Sequence, residues 1–190
     1  MIWDLEPHKV MVVLSVSFLC GILMDMVLQK LVAPGRTKYT VILVTLVTGI
    51  FMGAYGMNLH ALVCILFGQV LVFAAEYDIA THTVPDYVPV LILLIGLLEV
   101  QFAPAMLGLI LVPLPFLAAA LLKDGSIGGA DIKLMGASGF VLGVTRGYVA
   151  LMLGLLMAVL CQRSFGKEEE KAFALVPYLA FGCMMALLLV

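Results

Sequence analysis

Charge is what this chain lacks: only 12% of its 190 residues are Asp, Glu, Lys or Arg, about half the share of an ordinary soluble domain. Too few polar side chains remain to clothe a globular, water-facing surface. Basic clusters are missing as well. With a formal net charge of −2 and no Lys/Arg-rich stretch, the sequence has none of the positive footprint that nucleic-acid binding requires. Paired cysteines are absent too, because Cys20, Cys64, Cys161 and Cys183 stand singly in separate apolar runs. That spacing gives neither a zinc site nor a disulfide framework, and the four read as small buried hydrophobes. Finally, Met1 to Lys9 carries two acids and one lysine ahead of a long apolar run with no small-residue cleavage site. This is expected to be a retained first span rather than a removed signal peptide.

What the chain has is apolar length. Hydrophobic residues make up 64% of it, and the mean hydropathy is +1.21. Continuous apolar runs lie near 10–31, 41–57, 59–76, 87–102, 105–122, 132–145, 147–161 and 173–190, most of them close to the roughly 17–25 residues needed to cross a bilayer as helix. They do not alternate as barrel strands would, and a helix satisfies every backbone group within its own segment. The expected fold is all-α: a polytopic membrane helix bundle of about eight transmembrane helices, with residues 1–190 forming one integral membrane domain. The run 132–145 is the odd one. It amounts to about 21 Å of helix against a hydrocarbon thickness of roughly 30 Å, as a notch or local thinning next to a polar site would require.

If eight spans alternate, Lys30, Arg36, Lys38, Lys123, Lys133, Arg163, Lys167 and Lys171 fall on one side and only Lys9 and Arg146 on the other. The first side is then cytoplasmic. The same count puts the turns 77–86 and 123–131 there. Small residues in Gly136-Ala137-Ser138-Gly139, followed by Gly143 and Gly147, form small-xxx-small patterns that predict close helix packing, expected to hold Asp131 against the helix carrying Asp78. Gly49 and Gly53 offer a second such face. The mixed run Gly166 to Lys171 reads as a solvated loop.

Two acids stand at the ends of apolar runs on that shared face. Asp78 lies in Glu76-Tyr77-Asp78-Ile79-Ala80-Thr81-His82-Thr83-Val84-Pro85-Asp86, and Asp131 in Gly128-Gly129-Ala130-Asp131-Ile132-Lys133. Two carboxyls held close share one proton, because ionising the first opposes ionising the second. Such a pair hydrolyses peptides: the carboxylate takes a proton from water while the carboxylic acid polarises the scissile carbonyl.

These motifs resemble those of the type IV prepilin peptidases and their archaeal preflagellin peptidase relatives. Asp78 followed by Pro85-Asp86 resembles the first catalytic motif. Gly128 to Lys133 is similar to the Gly-x-Gly-Asp-x-Lys motif of the second, and Phe173 to Gly182 resembles the family's last span. The resemblance implies a membrane aspartic endopeptidase that removes the leader from a prepilin-like precursor, with Asp78 and Asp131 catalytic and no metal or organic cofactor. The implied substrate has a basic leader and a hydrophobic helix lying against the bundle. Two departures matter. Ala130 stands where the family motif has its second glycine, and would be strained if that position needs a positive φ. The Cys-x-x-Cys pairs that many relatives carry for methylation are absent, so proteolysis without methylation is expected.

Glu76, Asp86 and Asp124 form an acidic rim expected to attract a basic leader. Lys133, Gly128 and Gly129 complete the expected substrate-binding set. Asp25, inside the first apolar run, is expected to be a buried hydrogen-bonding partner, while His82 and Glu99 read as solvated. Two other functions use the same acids: an ion- or proton-coupled transporter, or a non-catalytic subunit whose aspartates pair with a partner helix.

Overall fold

A computed structural model describes residues 7–32, 39–122, 128–165 and 174–189, the side chains of 164 and 165 excepted. Arg36, Lys38, Lys123, Asp124, Lys167, Lys171 and Phe173, and with them the loop Gly166 to Lys171, lie outside the described residues. The described residues contain helices and no strand: α1 (Pro7–Leu31), α2 (Thr40–Tyr55), α3 (Leu59–Thr81), α4 (Tyr87–Gly96) with a 3₁₀ turn at Leu97–Glu99, α5 (Phe102–Leu111), α6 (Leu114–Leu122), α7 (Gly129–Phe165) and α8 (Val176–Leu189). Among the described residues, four stretches are long and apolar enough to cross a membrane: Pro7–Leu31, Leu59–Thr81, Phe102–Leu122 and Gly129–Arg163. The chain is thus an all-α membrane protein. Thr40–Tyr55, Tyr87–Glu99 and Val176–Leu189 are apolar but shorter, so the eight full spans expected from the sequence are not what helix length supports.

Three of the expected spans are these shorter helices, and two more are joined in α7. Its one non-helical residue is Gly143, with φ 71° and ψ −173°, a conformation that side chains with a Cβ rarely adopt. A Cβ on Gly139, before this break, would lie 2.9 Å from Val112 of α5, and one on Gly147, after it, 2.4 Å from the same residue. In a straight helix Gly139 and Gly147 would be about 12 Å apart, yet both lie against Val112. The helix is folded back at Gly143 into two limbs, 129–142 and 144–165. The first limb keeps the short length read from the sequence.

Glycines set the closest approaches. A Cβ on Gly139 would sit 2.3 Å from the Gly108 carbonyl oxygen, and one on Gly147 would sit 2.4 Å from a Val112 methyl. The small-residue face of α7 therefore packs on α5, as the pattern predicted, but α3 is not its partner. Instead α8 lies against both α3 and α7, and α4 also bridges them. Gly49 and Gly53 do not form a packing face: Gly53 has nothing within 4 Å of a built Cβ, and Gly49 only the tip of Leu14 at 3.9 Å.

A buried polar knot joins the first three helices. Gln69 donates from Nε2 to Ser17 Oγ and to Thr48 Oγ1, both at 3.2 Å, and the two hydroxyls lie 2.6 Å apart. Thr48 also donates to the Val44 carbonyl at 2.9 Å. In an apolar surround these bonds spare each group the cost of an unmet partner. Around the knot, Leu28, Val44, Phe51, Phe67 and Leu71 form a core continuous with Met135 of α7 and Leu179 of α8. The cysteines are free; Cys64 and Cys183 are buried, as expected for small hydrophobes, and Cys20 and Cys161 are partly so.

Candidate active site

The first aspartate is carried by a helix that runs further than its apolar stretch. Instead of ending near Glu76, α3 continues to Thr81. No glycine or proline interrupts Tyr77 to Thr81, and Thr81 returns its hydroxyl to the Tyr77 carbonyl at 2.8 Å. The helix stops at His82, whose φ of 53° and ψ of 32° place it in the left-handed region, its N–H bonded to the Asp78 carbonyl at 2.7 Å. Asp78 thus sits inside the final turn, not in a solvated loop, and is 6% exposed.

A carboxylate at the C-terminal end of its own helix faces the negative end of that helix's dipole. The compensation comes from α8. Leu175 precedes α8 and has no side-chain acceptor to cap it, while Pro177 has no N–H to satisfy. Tyr178 N–H bonds back to the Leu175 carbonyl at 3.1 Å. The remaining donor, the Val176 N–H, gives its hydrogen bond to Asp78 Oδ2 at 3.1 Å. Asp78 is therefore the N-terminal cap of another helix, a role usually filled by the residue just before it. The uncapped Leu175-Val176-Pro177 sequence was the available signal, and sequence reasoning did not use it.

Asp131 stands in the first turn of α7, where the dipole favours negative charge. Gly128 caps that turn with its carbonyl, accepting from the N–H groups of Asp131 at 3.1 Å and Ile132 at 3.4 Å. In return the Gly128 backbone bonds to the Asp131 carboxyl, the reciprocal arrangement of a capping box. Ala130 lies within the same helical turn; among described residues other than glycine, positive φ is confined to His82. The position needs a small residue and no unusual backbone angle, so alanine serves. Gly129 is exposed, and a Cβ there would have nothing within 4 Å.

The charge of Asp78 reaches the Asp131 carboxyl, and that of His82 reaches Asp78; His82 itself is exposed, as a solvated turn residue should be. A second link ties the motifs together: Lys133 Nζ lies 2.7 Å from Asp86 Oδ1. Both side chains are largely exposed, which makes the pair a weak clasp. It also means that these two expected substrate contacts neutralise each other.

Glu76 departs from the expected rim. It is 7% exposed and points between α2, α3 and α8, because a residue two positions before Asp78 lies on a different face of the helix. The charge of Asp25 reaches it. Asp25 is half-buried rather than buried; its Oδ2 accepts from Gln29 Nε2, one turn along α1, at 2.7 Å, and its buried Oδ1 has no partner. At the other end of the bundle, Glu99 is not merely solvated: its Oε2 lies 2.8 Å from His60 Nδ1.

The fold is that of an all-α membrane protein, with Asp78 in the last turn of α3 and Asp131 in the first turn of α7. Residues 65–162 match the model of the type IV leader peptidase family, and the chain belongs to that family of proteases. No curated protein and no solved structure matches it.

Proposed function

We propose that the protein is an aspartic endopeptidase that removes the leader peptide from type IV prepilin-like precursors at the cytoplasmic face of the cell membrane. One observation carries this reading: Asp78 and Asp131, on separate helices and far apart in sequence, have carboxyls close enough for the charge of one to act on the other. Two such acids favour a state in which one is ionised and the other keeps its proton, because the charge of the first opposes ionisation of the second. The ionised one draws a proton from water, and the protonated one donates toward the scissile carbonyl oxygen. The roles then reverse as the leaving amine takes a proton.

The supports around the pair suit this cycle. The Val176 N–H holds one oxygen of Asp78, leaving the other for water or for the partner acid. The bond from the Gly128 backbone steadies Asp131. The cytoplasmic assignment rests on the bias of Lys and Arg toward the side bearing both motifs; the fold-back at Gly143 agrees with it, since it returns Arg163 toward the side of Lys133. The test is co-expression with a precursor carrying a basic leader and an apolar helix. Wild-type protein should shorten it by the leader, whereas Asp78→Asn and Asp131→Asn, at equal protein level, should leave it intact. Cleavage retained by either variant would refute the dyad.

A further inference from the structure

A polar cavity lies at the end of the bundle opposite Asp78. About 160 Å³ in volume, it is lined by His60 and Cys64 from α3, Glu99 and Gln101 from the link between α4 and α5, and Gly143 and Arg146 at the break in α7. Most of its polar groups already have partners. Both ring nitrogens of His60 are engaged, Nδ1 lying 2.8 Å from Glu99 Oε2 and Nε2 lying 3.7 Å from Cys64 Sγ. Glu99, the acid of the cavity, is thereby turned onto the imidazole.

Arg146 is different. It is half-buried, and among the described residues its guanidinium makes no ion pair and no hydrogen bond. A guanidinium is always charged and presents its donors in a planar fork that matches a carboxylate or a phosphate. Held partly out of water, it is stabilised by an anion that accepts from that fork. The exposed Gln101 brings a neutral amide donor to the same cavity.

Depth points to the source of the anion. From Asp78 back to His60, α3 rises about 27 Å, close to the roughly 30 Å of a bilayer's hydrocarbon. With Asp78 at one surface of the membrane, the cavity stands among the headgroups of the other. Leu98 and Phe102, which flank Glu99 and Gln101 in the chain, are 50% and 69% exposed, and in a bilayer they face acyl chains. A phospholipid packed on them carries its phosphate to the level of Gln101 and Arg146.

We propose that this cavity binds a phosphate group, presented by the headgroup of a membrane phospholipid, through Arg146 and Gln101. The bound headgroup joins the elbow of α7 to the link between α4 and α5, and the site is independent of any peptidase chemistry at the other end of the bundle.

The full chain, purified in detergent, is titrated with dioleoylphosphatidylglycerol and with dioleoylglycerol, which has the same acyl chains and no phosphate, and native mass spectrometry counts the bound molecules. The wild-type protein should bind the phospholipid at least about tenfold more tightly than the diacylglycerol. Arg146→Gln should weaken phospholipid binding about tenfold, the scale of one hydrogen bond to a charged group, and leave diacylglycerol binding unchanged. Gln101→Glu, at an exposed position, should weaken it severalfold by repulsion. Lys9→Gln, which removes an exposed cation of α1, should have no effect. Equal affinity for the two lipids, or a loss on Lys9→Gln as large as that on Arg146→Gln, overturns the site. Should Arg146→Gln not fold, unchanged phospholipid affinity in Gln101→Glu overturns it instead. Millimolar inorganic phosphate is compared by thermal unfolding: a rise in Tm that depends on Arg146, without any preference for the phospholipid, assigns the cavity to free phosphate and overturns the lipid source.

Discussion

Asp78 is assigned two roles, acid of the dyad and cap of α8, and two substitutions separate them. Asp78→Asn keeps an oxygen that accepts from the Val176 N–H, now as a neutral bond worth about 0.5–1.5 kcal/mol in place of a charge-assisted one at about 1.5–3. Relief from burying a carboxylate at 6% exposure offsets part of that loss, so the net change is expected to stay below about 1 kcal/mol. Asp78→Ala removes the acceptor altogether. The Val176 N–H, 3.1 Å from Oδ2 in the native protein, is then left without a partner, at a cost of about 1–3 kcal/mol, in line with the loss of an N-cap. For a chain of this size about 1 kcal/mol corresponds to roughly 2–4 °C in Tm. Asn should therefore fall within about 3 °C of wild type and Ala several degrees below it. Cys64 and Cys183 are buried, so a thiol-reactive fluorophore reports unfolding in detergent. Both variants should be inactive in precursor cleavage. Equal Tm values for Asn and Ala would refute the capping role, and activity in Asn would refute the catalytic one.

Other consequences follow from single contacts. Gly139→Ala places a methyl 2.3 Å from the Gly108 carbonyl oxygen and should cost about 1–3 kcal/mol by overpacking. Gly129→Ala, with nothing within 4 Å, should be tolerated or stabilising by up to about 1 kcal/mol; the two are compared by thermal unfolding. A double-mutant cycle on Asp86 and Lys133 should return a salt-sensitive coupling of only about 0.2–1 kcal/mol. Gln69→Leu removes two bonds from the buried knot but leaves Ser17 and Thr48 paired, so a loss of about 1–2 kcal/mol is expected, read from the same unfolding assay.

Much of the proposed site was legible in the sequence because the bilayer does the sorting: an acid at the end of an apolar run has few places to be. Asp78 and Asp131 were singled out that way, and the structure puts them at helix ends; the short run after Asp131 corresponds to the first limb of α7. The helical class was equally plain from run length. The expectations that failed concern direction around a helix and contacts between helices. Glu76 was assigned to a solvated rim because α3 was ended five residues early; once the helix continues to Thr81, a residue two positions before Asp78 turns inward. Gly49 and Gly53 have the spacing of a packing face, but spacing does not say whether a partner helix is there. Small residues after Asp131 did predict a close crossing, though with α5 instead of α3. The cap that Asp78 provides to α8 joins two segments by a backbone N–H, and a backbone donor leaves no side-chain signature beyond the missing cap at Leu175.

The most direct measurement of the central claim is the cleavage rate of a prepilin-like precursor by purified protein in lipid vesicles, comparing wild type with Asp78→Asn and Asp131→Asn and with a chelator present throughout. The account predicts leader removal by wild type despite the chelator and none by either variant. Cleavage by a variant lacking one of the two carboxyls, or loss of wild-type activity on chelation alone, would contradict it.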